Sequence, residues 1–303
     1  MSKKKYYVDI GSAFTTIQSN ILLFKEPSCV IIQNGFNPKL IASGKEAAVR
    51  RHLIGDEQQF INPISEGAVM HYTGAVLMLK SFLKKAKVKK SDEIIVYFNC
   101  GLSLQQKRDL EAVFLEIGYR NITLCEKLLA LKPYVASYGN MVVADIGDKH
   151  TDVGIINEGG IVSAYSIDIG GATITSRIIK TVERIYNLNI TYRTAEKLKT
   201  GIGSLYANDV SRMAISGRDI ITGVGKNVEV CAKDIYDDIV FCYKRIIKVI
   251  EGLLVVAPLE CIEGITKRGI FAMGGGSQMA GLEDYVFETL CLPLTIISAM
   301  IYN

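Results

Sequence analysis

Tyr6-Tyr7-Val8-Asp9-Ile10-Gly11-Ser12-Ala13-Phe14-Thr15 and Met141-Val142-Val143-Ala144-Asp145-Ile146-Gly147-Asp148-Lys149-His150-Thr151-Asp152 share one local pattern. In each, a short β-prone run ends in Asp, and a glycine follows one residue later. An apolar run such as Met141 to Ala144 reads as a strand buried on both faces. The glycine allows a tight turn, and the hydroxyl and charged residues after it suit a polar ligand. Either copy alone is an ordinary turn. Two copies in one chain mark a duplicated lobe, and clefts between such lobes are favoured ligand sites.

Working outward, Ile94 to Phe98 and Gly269 to Met273 read as further buried strands, the latter running into Gly274-Gly275-Gly276-Ser277. Asp152 to Ile156 and Ile161 to Ile167 read as a hairpin joined at Asn157-Glu158-Gly159-Gly160. Helical periodicity covers Gly74 to Lys87, Ser103 to Ile117, Ala172 to Tyr186 and Asp234 to Val255, with Gly118 as a stop signal. Alternation of strands with helices implies an α/β chain with largely parallel sheets. We expect a first lobe over residues 1–145 and a second over 146–303. The less regular blocks at about 33–72 and 181–235 read as one insertion subdomain in each.

Composition narrows the function. The 303 residues are 49% hydrophobic and carry a net charge of +4, too small an excess for a dedicated nucleic-acid binder. None of the seven cysteines forms a CxxC pair, and the three histidines show no ligand spacing. Free thiols, no leader-like start and no membrane-length apolar run give the expectation of a cytoplasmic protein. The stretch Lys84-Lys85-Ala86-Lys87-Val88-Lys89-Lys90 is locally basic. It reads as a solvated face or as a surface attracted to anionic lipid.

Three glycine turns in strand–turn–strand or strand–turn–helix context are a stronger signal than any one of them. Together they resemble the first phosphate, second phosphate and adenosine loops of the superfamily of actins, sugar kinases and heat-shock chaperones. Finer matches narrow the resemblance to the MreB family of bacterial actins. These are Ile61-Asn62-Pro63-Ile64-Ser65-Glu66-Gly67-Ala68-Val69, Arg193-Thr194-Ala195-Glu196-Lys197-Leu198-Lys199, Ser216-Gly217-Arg218-Asp219 with Thr222-Gly223, Asn187 to Ile190, and Leu292-Pro293-Leu294. The resemblance runs from about Tyr7 to Thr295.

That resemblance implies a duplicated ribonuclease-H-like actin fold, with two lobes and a nucleotide cleft between them. It implies ATP and magnesium as cofactors, with Asp9 organising the metal through water. Ser12, Ala13, Thr15, Asp145, Gly147 and Thr151 would line the phosphates. Glu196, Lys199, Gly274, Gly275 and Ser277 would hold the nucleoside, and Glu126 would position the attacking water. The implied partners are copies of this chain or another MreB-type protein, the inner face of the cell membrane, and membrane-embedded shape or cell-wall proteins. The implied function is a membrane-associated filament that helps determine cell shape, with weak ATP hydrolysis.

The chain departs from the family pattern at several points. Phe14 stands where the family usually has Asn. Asp148-Lys149-His150-Thr151 replaces Gly-Gly-Thr-Thr, and Lys127 replaces the Pro after Glu126, with Leu128, Leu129 and Leu131 beyond it. The family's last helix also looks shortened after Ile296. The changes at Phe14, Lys149 and Lys127 lead us to expect slow hydrolysis, or a divergent paralogue acting as a structural or regulatory subunit. A small-molecule kinase would need a further cleft Asp that no motif supplies.

Overall fold

The computed structural model describes residues 4–133, 135 and 139–297. The chain divides into two compact units, residues 1–133 and residues 134–299. The division expected from the sequence lies after Asp145. It falls earlier because the strand bearing Asp145 pairs with strands of the second unit rather than the first.

In the first unit a central strand, β1 (Lys5–Ile10), begins an antiparallel meander through β2 (Phe14–Ser19) and β3 (Leu22–Pro27). A small sheet follows from β4 (Val30–Gln33), β5 (Lys39–Ser43) and β6 (Gln58–Ile61), in the order β5-β4-β6. This is the first insertion, starting slightly ahead of the expected residue 33. A two-residue-strand hairpin, β7 (Ile64–Ser65) and β8 (Ala68–Val69), leads into the helix Tyr72–Lys85. Then β9 (Glu93–Phe98), the helix Leu104–Ile117 and β10 (Ile122–Glu126) complete the sheet β10-β9-β1-β2-β3.

The second unit repeats this order. Here β11 (Met141–Ile146) starts the meander through β12 (Thr151–Asn157) and β13 (Gly160–Ile167). Its insertion contains β14 (Leu188–Asn189), the helix Tyr192–Ile202, β15 (Arg212–Asp219) and β16 (Gly225–Cys231). The helix Ala232–Val255 leads on toward β17 (Ile270–Met273) and β18 (Leu294–Ile296), giving β13-β12-β11-β17-β18. In both sheets the central strand is antiparallel to the meander and parallel to the strand on its other side. The duplication inferred from the two Asp-x-Gly strands is therefore a repeat of whole-sheet topology.

Local chemistry explains the helix limits. Ser103 and Gln106 form a reciprocal cap on the helix Leu104–Ile117, which ends at left-handed Gly118. The Lys90 ammonium binds the terminal Ile117 carbonyl and lies 3.6 Å from the centre of the Tyr119 ring. His71 Nδ1 accepts the Gly74 amide at the start of the helix Tyr72–Lys85, at 3.0 Å. Asp219 organises the β15–β16 turn by accepting from the Ile221 and Thr222 amides and from Lys226. These bonds hold its carboxyl down at about 2, the Thr222 amide contributing most.

Each unit has its own core. In the first, Leu79, Phe82 and Leu83 from one helix and Leu110, Val113 and Phe114 from the other are buried with Val8, Ile94 and Val96 of the sheet. In the second, Ile174, Ile178 and Val182 are buried with Ile235, Ile239 and Ile246 and with Val142, Val153 and Ile155. Each such side chain contributes about 1.5–3 kcal/mol. Phe114 is fully buried, so Phe114→Ala is expected to cost about 3–5 kcal/mol. The cost would appear as a lower urea midpoint for the transition of this unit, with its slope unchanged.

Candidate functional site

The first loop leaves the sheet at Asp9. The Gly11 amide donates to the Phe14 carbonyl at 3.0 Å, closing the turn, and a Cβ on Gly11 would lie 2.9 Å from that oxygen. Thr15 is fully buried, its hydroxyl 2.9 Å from that of Ser28, which in turn donates to the Gly11 carbonyl at 2.7 Å. The Ser28 amide reaches the Ala13 carbonyl. Ser12 Oγ accepts the Glu66 amide at 2.8 Å, which ties the β7–β8 hairpin to the loop. Phe14 is 45% exposed and lies under Lys25, so its ring stays out of the core.

The second loop is built the same way. The Gly147 amide donates to the His150 carbonyl at 3.0 Å. Asp145 faces Asp152 and Ile146 faces Thr151 across the meander, as Asp9 faces Thr16 and Ile10 faces Thr15 in the first sheet. Thr151 is fully buried and its hydroxyl donates to the Ile169 carbonyl. Lys149, a concern because it replaces a small residue, is exposed and leaves the turn intact.

The third loop packs on the end of β11. Gly274 sits at φ +87°, where a Cβ would be 2.4 Å from the Ile146 carbonyl oxygen and 2.5 Å from Asp145 Oδ1, so only glycine fits. Ser277 is fully buried and its hydroxyl donates to the Gly274 carbonyl. The Tyr243 phenol holds the Gly276 carbonyl at 2.6 Å. A Cβ on Gly275 would meet nothing within 4 Å, which leaves that position open.

Glu196 and Lys199 come together with residues that the sequence did not single out. Lys199 Nζ lies 2.5 Å from Glu196 Oε1, 3.0 Å from the Thr175 hydroxyl and 3.0 Å from the Gly171 carbonyl. Thr175 also donates to Glu196. A Cβ on Gly171 would lie 3.0 Å from Lys199 Nζ and 3.6 Å from Asp148 Oδ1, so the second loop and this cluster are neighbours. Burial pushes the Asp148 carboxyl upward; Lys199 opposes this and Glu196 adds to it. Burial, then Asp148 and Glu196, push up the Tyr192 phenol. A threonine one turn into a helix gives no sequence signal, which is why Thr175 was missed.

At the end of β10, Glu126 is 3.7 Å from Lys107 Nζ and 3.9 Å from the Cys100 thiol. The next residue, Lys127, begins a 3-10 turn over Lys127–Leu131. Its Nζ lies 3.2 Å from Asp9 Oδ2, with the two side chains only 10% and 14% exposed. Magnesium binds hard anionic oxygens, and Asp9 was the residue expected to organise it. With an ammonium already on that carboxylate, its charge is countered, and the site does not fit a divalent ion at Asp9.

The raised Asp148 carboxyl carries a pH prediction. Between the ordinary carboxylate pKa and the raised one, the folded chain keeps a proton that the unfolded chain has lost. Stability contributed by this group therefore falls as pH rises through that window. Asp148→Asn is expected to raise the melting temperature of the ligand-free chain at neutral pH, with the gain vanishing below the ordinary carboxylate range.

The chain is similar to known proteins over nearly its whole length. A family model described as MreB/Mbl protein matches residues 3–301. The cell shape-determining protein Mbl of Bacillus cereus is 28% identical over 95% of this chain and 90% of its own length. The crystal structure of MreB5 of Spiroplasma citri bound to ADP matches with a TM-score of 0.89 at 27% identity, covering 98% of this chain and 92% of the other. MamK, solved as a double helical filament, shares the fold at a TM-score of 0.81 and 19% identity, over 98% of this chain and 95% of its own. The family match over residues 3–301 and the twin sheets with their matching turns agree: the chain belongs to the MreB/Mbl family of actin-like, cell shape-determining proteins.

Proposed function

We propose that this chain binds an adenine nucleotide, assembles with copies of itself and helps determine cell shape at the inner face of the cell membrane. The observation that carries the reading is the turn made twice, Gly11 to Phe14 and Gly147 to His150, each closing at 3.0 Å at the end of a central strand. Such turns let backbone amides approach phosphate oxygens. Ser12, Ala13 and Thr15 belong to the first turn, and Asp145, Gly147 and Thr151 to the second. In this reading Glu196 and Lys199 receive the nucleoside, with Gly274, Gly275 and Ser277 beside it. The relative from Spiroplasma citri binds ADP, and MamK shows that this fold can build a filament. Magnesium at Asp9 is left out of the proposal because Lys127 already counters that carboxylate.

Within this reading Glu126 orients the water that attacks the terminal phosphate. Lys107 and Cys100 restrain its two oxygens, and Lys127 replaces the proline that would stiffen the following turn. Hydrolysis depends on position, and a misplacement of about 1 Å costs on the order of 10²-fold. Turnover is therefore slow. The Lys127–Asp9 pair favours a second reading, a structural subunit with little or no hydrolysis that copolymerises with another family member. Sedimentation with ATP, ADP or no nucleotide, with phosphate release followed in parallel, separates the two. The first reading expects ATP-dependent pelleting with slow release; pelleting indifferent to nucleotide and without release would replace it by the second.

No helix among the described residues is long and apolar enough to cross a membrane. A membrane surface could be met through Lys84, Lys87 and Lys89, which are exposed at the end of the helix Tyr72–Lys85. Lys85 and Lys90 contribute less, because they bond to Ser43 and to the Ile117 carbonyl. Each basic residue near an anionic surface adds about 1 kcal/mol. Flotation with anionic vesicles should therefore succeed at low salt and weaken above ~0.15 M. Equal binding to neutral vesicles would remove the lysines from this role.

A further inference from the structure

We infer that Lys127 is the built-in counter-ion of the first loop, so that this chain holds adenine nucleotide without a divalent cation at Asp9. The inference rests on the nucleotide-binding reading above and concerns the same site. It starts from strand order. In the first sheet β10, β9 and β1 run parallel, with Cys125 beside Tyr97 and Tyr97 beside Asp9. The residue two places beyond Cys125 therefore emerges at the same edge as Asp9, two strands away. Neighbouring strands are about 4.8 Å apart, a span that a lysine side chain can bridge.

The chain places a lysine there, and its Nζ reaches Asp9 Oδ2 at 3.2 Å. Little of either side chain meets water, so screening of the pair is weak. A carboxylate in this state has its charge matched. A doubly charged ion approaching the same oxygen would meet the ammonium at close range and lose its attraction to the site. Nucleotide phosphates brought to the loop meet a carboxylate whose repulsion the ammonium already cancels. An ammonium is a compact point charge suited to phosphate and tolerant of its geometry. Lys127 thus does at Asp9 what the metal was expected to do: it removes the repulsion between that carboxylate and the phosphates.

The test compares ADP affinity of the full chain by titration calorimetry in magnesium and in EDTA. The parent chain should bind equally in both. Lys127→Ala should lose about tenfold or more in EDTA and recover with magnesium, while Lys127→Arg should behave as the parent. A parent chain that loses about tenfold in EDTA, or a Lys127→Ala variant with unaltered magnesium dependence, overturns the inference. Manganese(II) titrated alone and followed by its electron spin resonance reads Asp9 without nucleotide. The parent should leave the ion free, and Lys127→Ala should take it up unless Asp9→Asn is added. Uptake by the parent that Asp9→Asn abolishes overturns the inference. If ADP binds under no condition, the nucleotide reading fails, and the manganese arm still decides the charge role of Lys127. The parent measurements need no variant to fold.

Discussion

One backbone hydrogen bond recurs at the centre of both units: a glycine amide donating to the carbonyl three residues on, at the point where a buried strand reverses into its meander. It fixes the register of β1 against β2 and of β11 against β12, because the residues flanking the turn must face each other. It also sets which side chains go inward. Thr15 and Thr151, directly after the turns, are drawn fully into the protein and hold neighbouring carbonyl or hydroxyl groups. Their role in these loops is to keep the shape that the backbone presents. The carbonyls of Phe14 and His150 close the turns, so the exposed Phe14 side chain is not part of the closure.

This division between backbone and side chain explains what could be read from sequence. Continuous apolar runs exposed β1, β9, β11 and β17, since a strand covered on both faces needs apolar residues on both. Ser103, Gln106 and Gly118 marked the limits of one helix through capping chemistry. By contrast β3, Leu22–Pro27, is a half-exposed edge strand with Lys25 and Glu26 in it, and its pattern resembles a loop. The boundary between units was misplaced because a strand's sequence does not say which neighbours it will pair with.

The candidate site was legible as far as its loops and no further. Asp9, Gly11, Asp145, Gly147 and Gly274 stood out because turn geometry restricts residue type. The contacts that set the character of the site join residues distant in sequence. Lys127 could be seen as an unusual residue after Glu126, but its bond to Asp9 exists only once β10 lies two strands from β1. Likewise Thr175 joins Glu196 and Lys199 because two helices of the second unit pack together. Sequence patterns report local restrictions on conformation, while charge pairing across a sheet edge depends on topology.

The Ser28 hydroxyl, shared between Thr15 and the Gly11 carbonyl, has a consequence for how the first loop meets any ligand. A loop braced from its own interior is already in one shape before encounter, and its atoms have little freedom left to lose. The entropic penalty of ordering is met during folding rather than during association. Recognition at such a surface is closer to docking onto a rigid template than to wrapping, and less of the contact energy goes into ordering the loop.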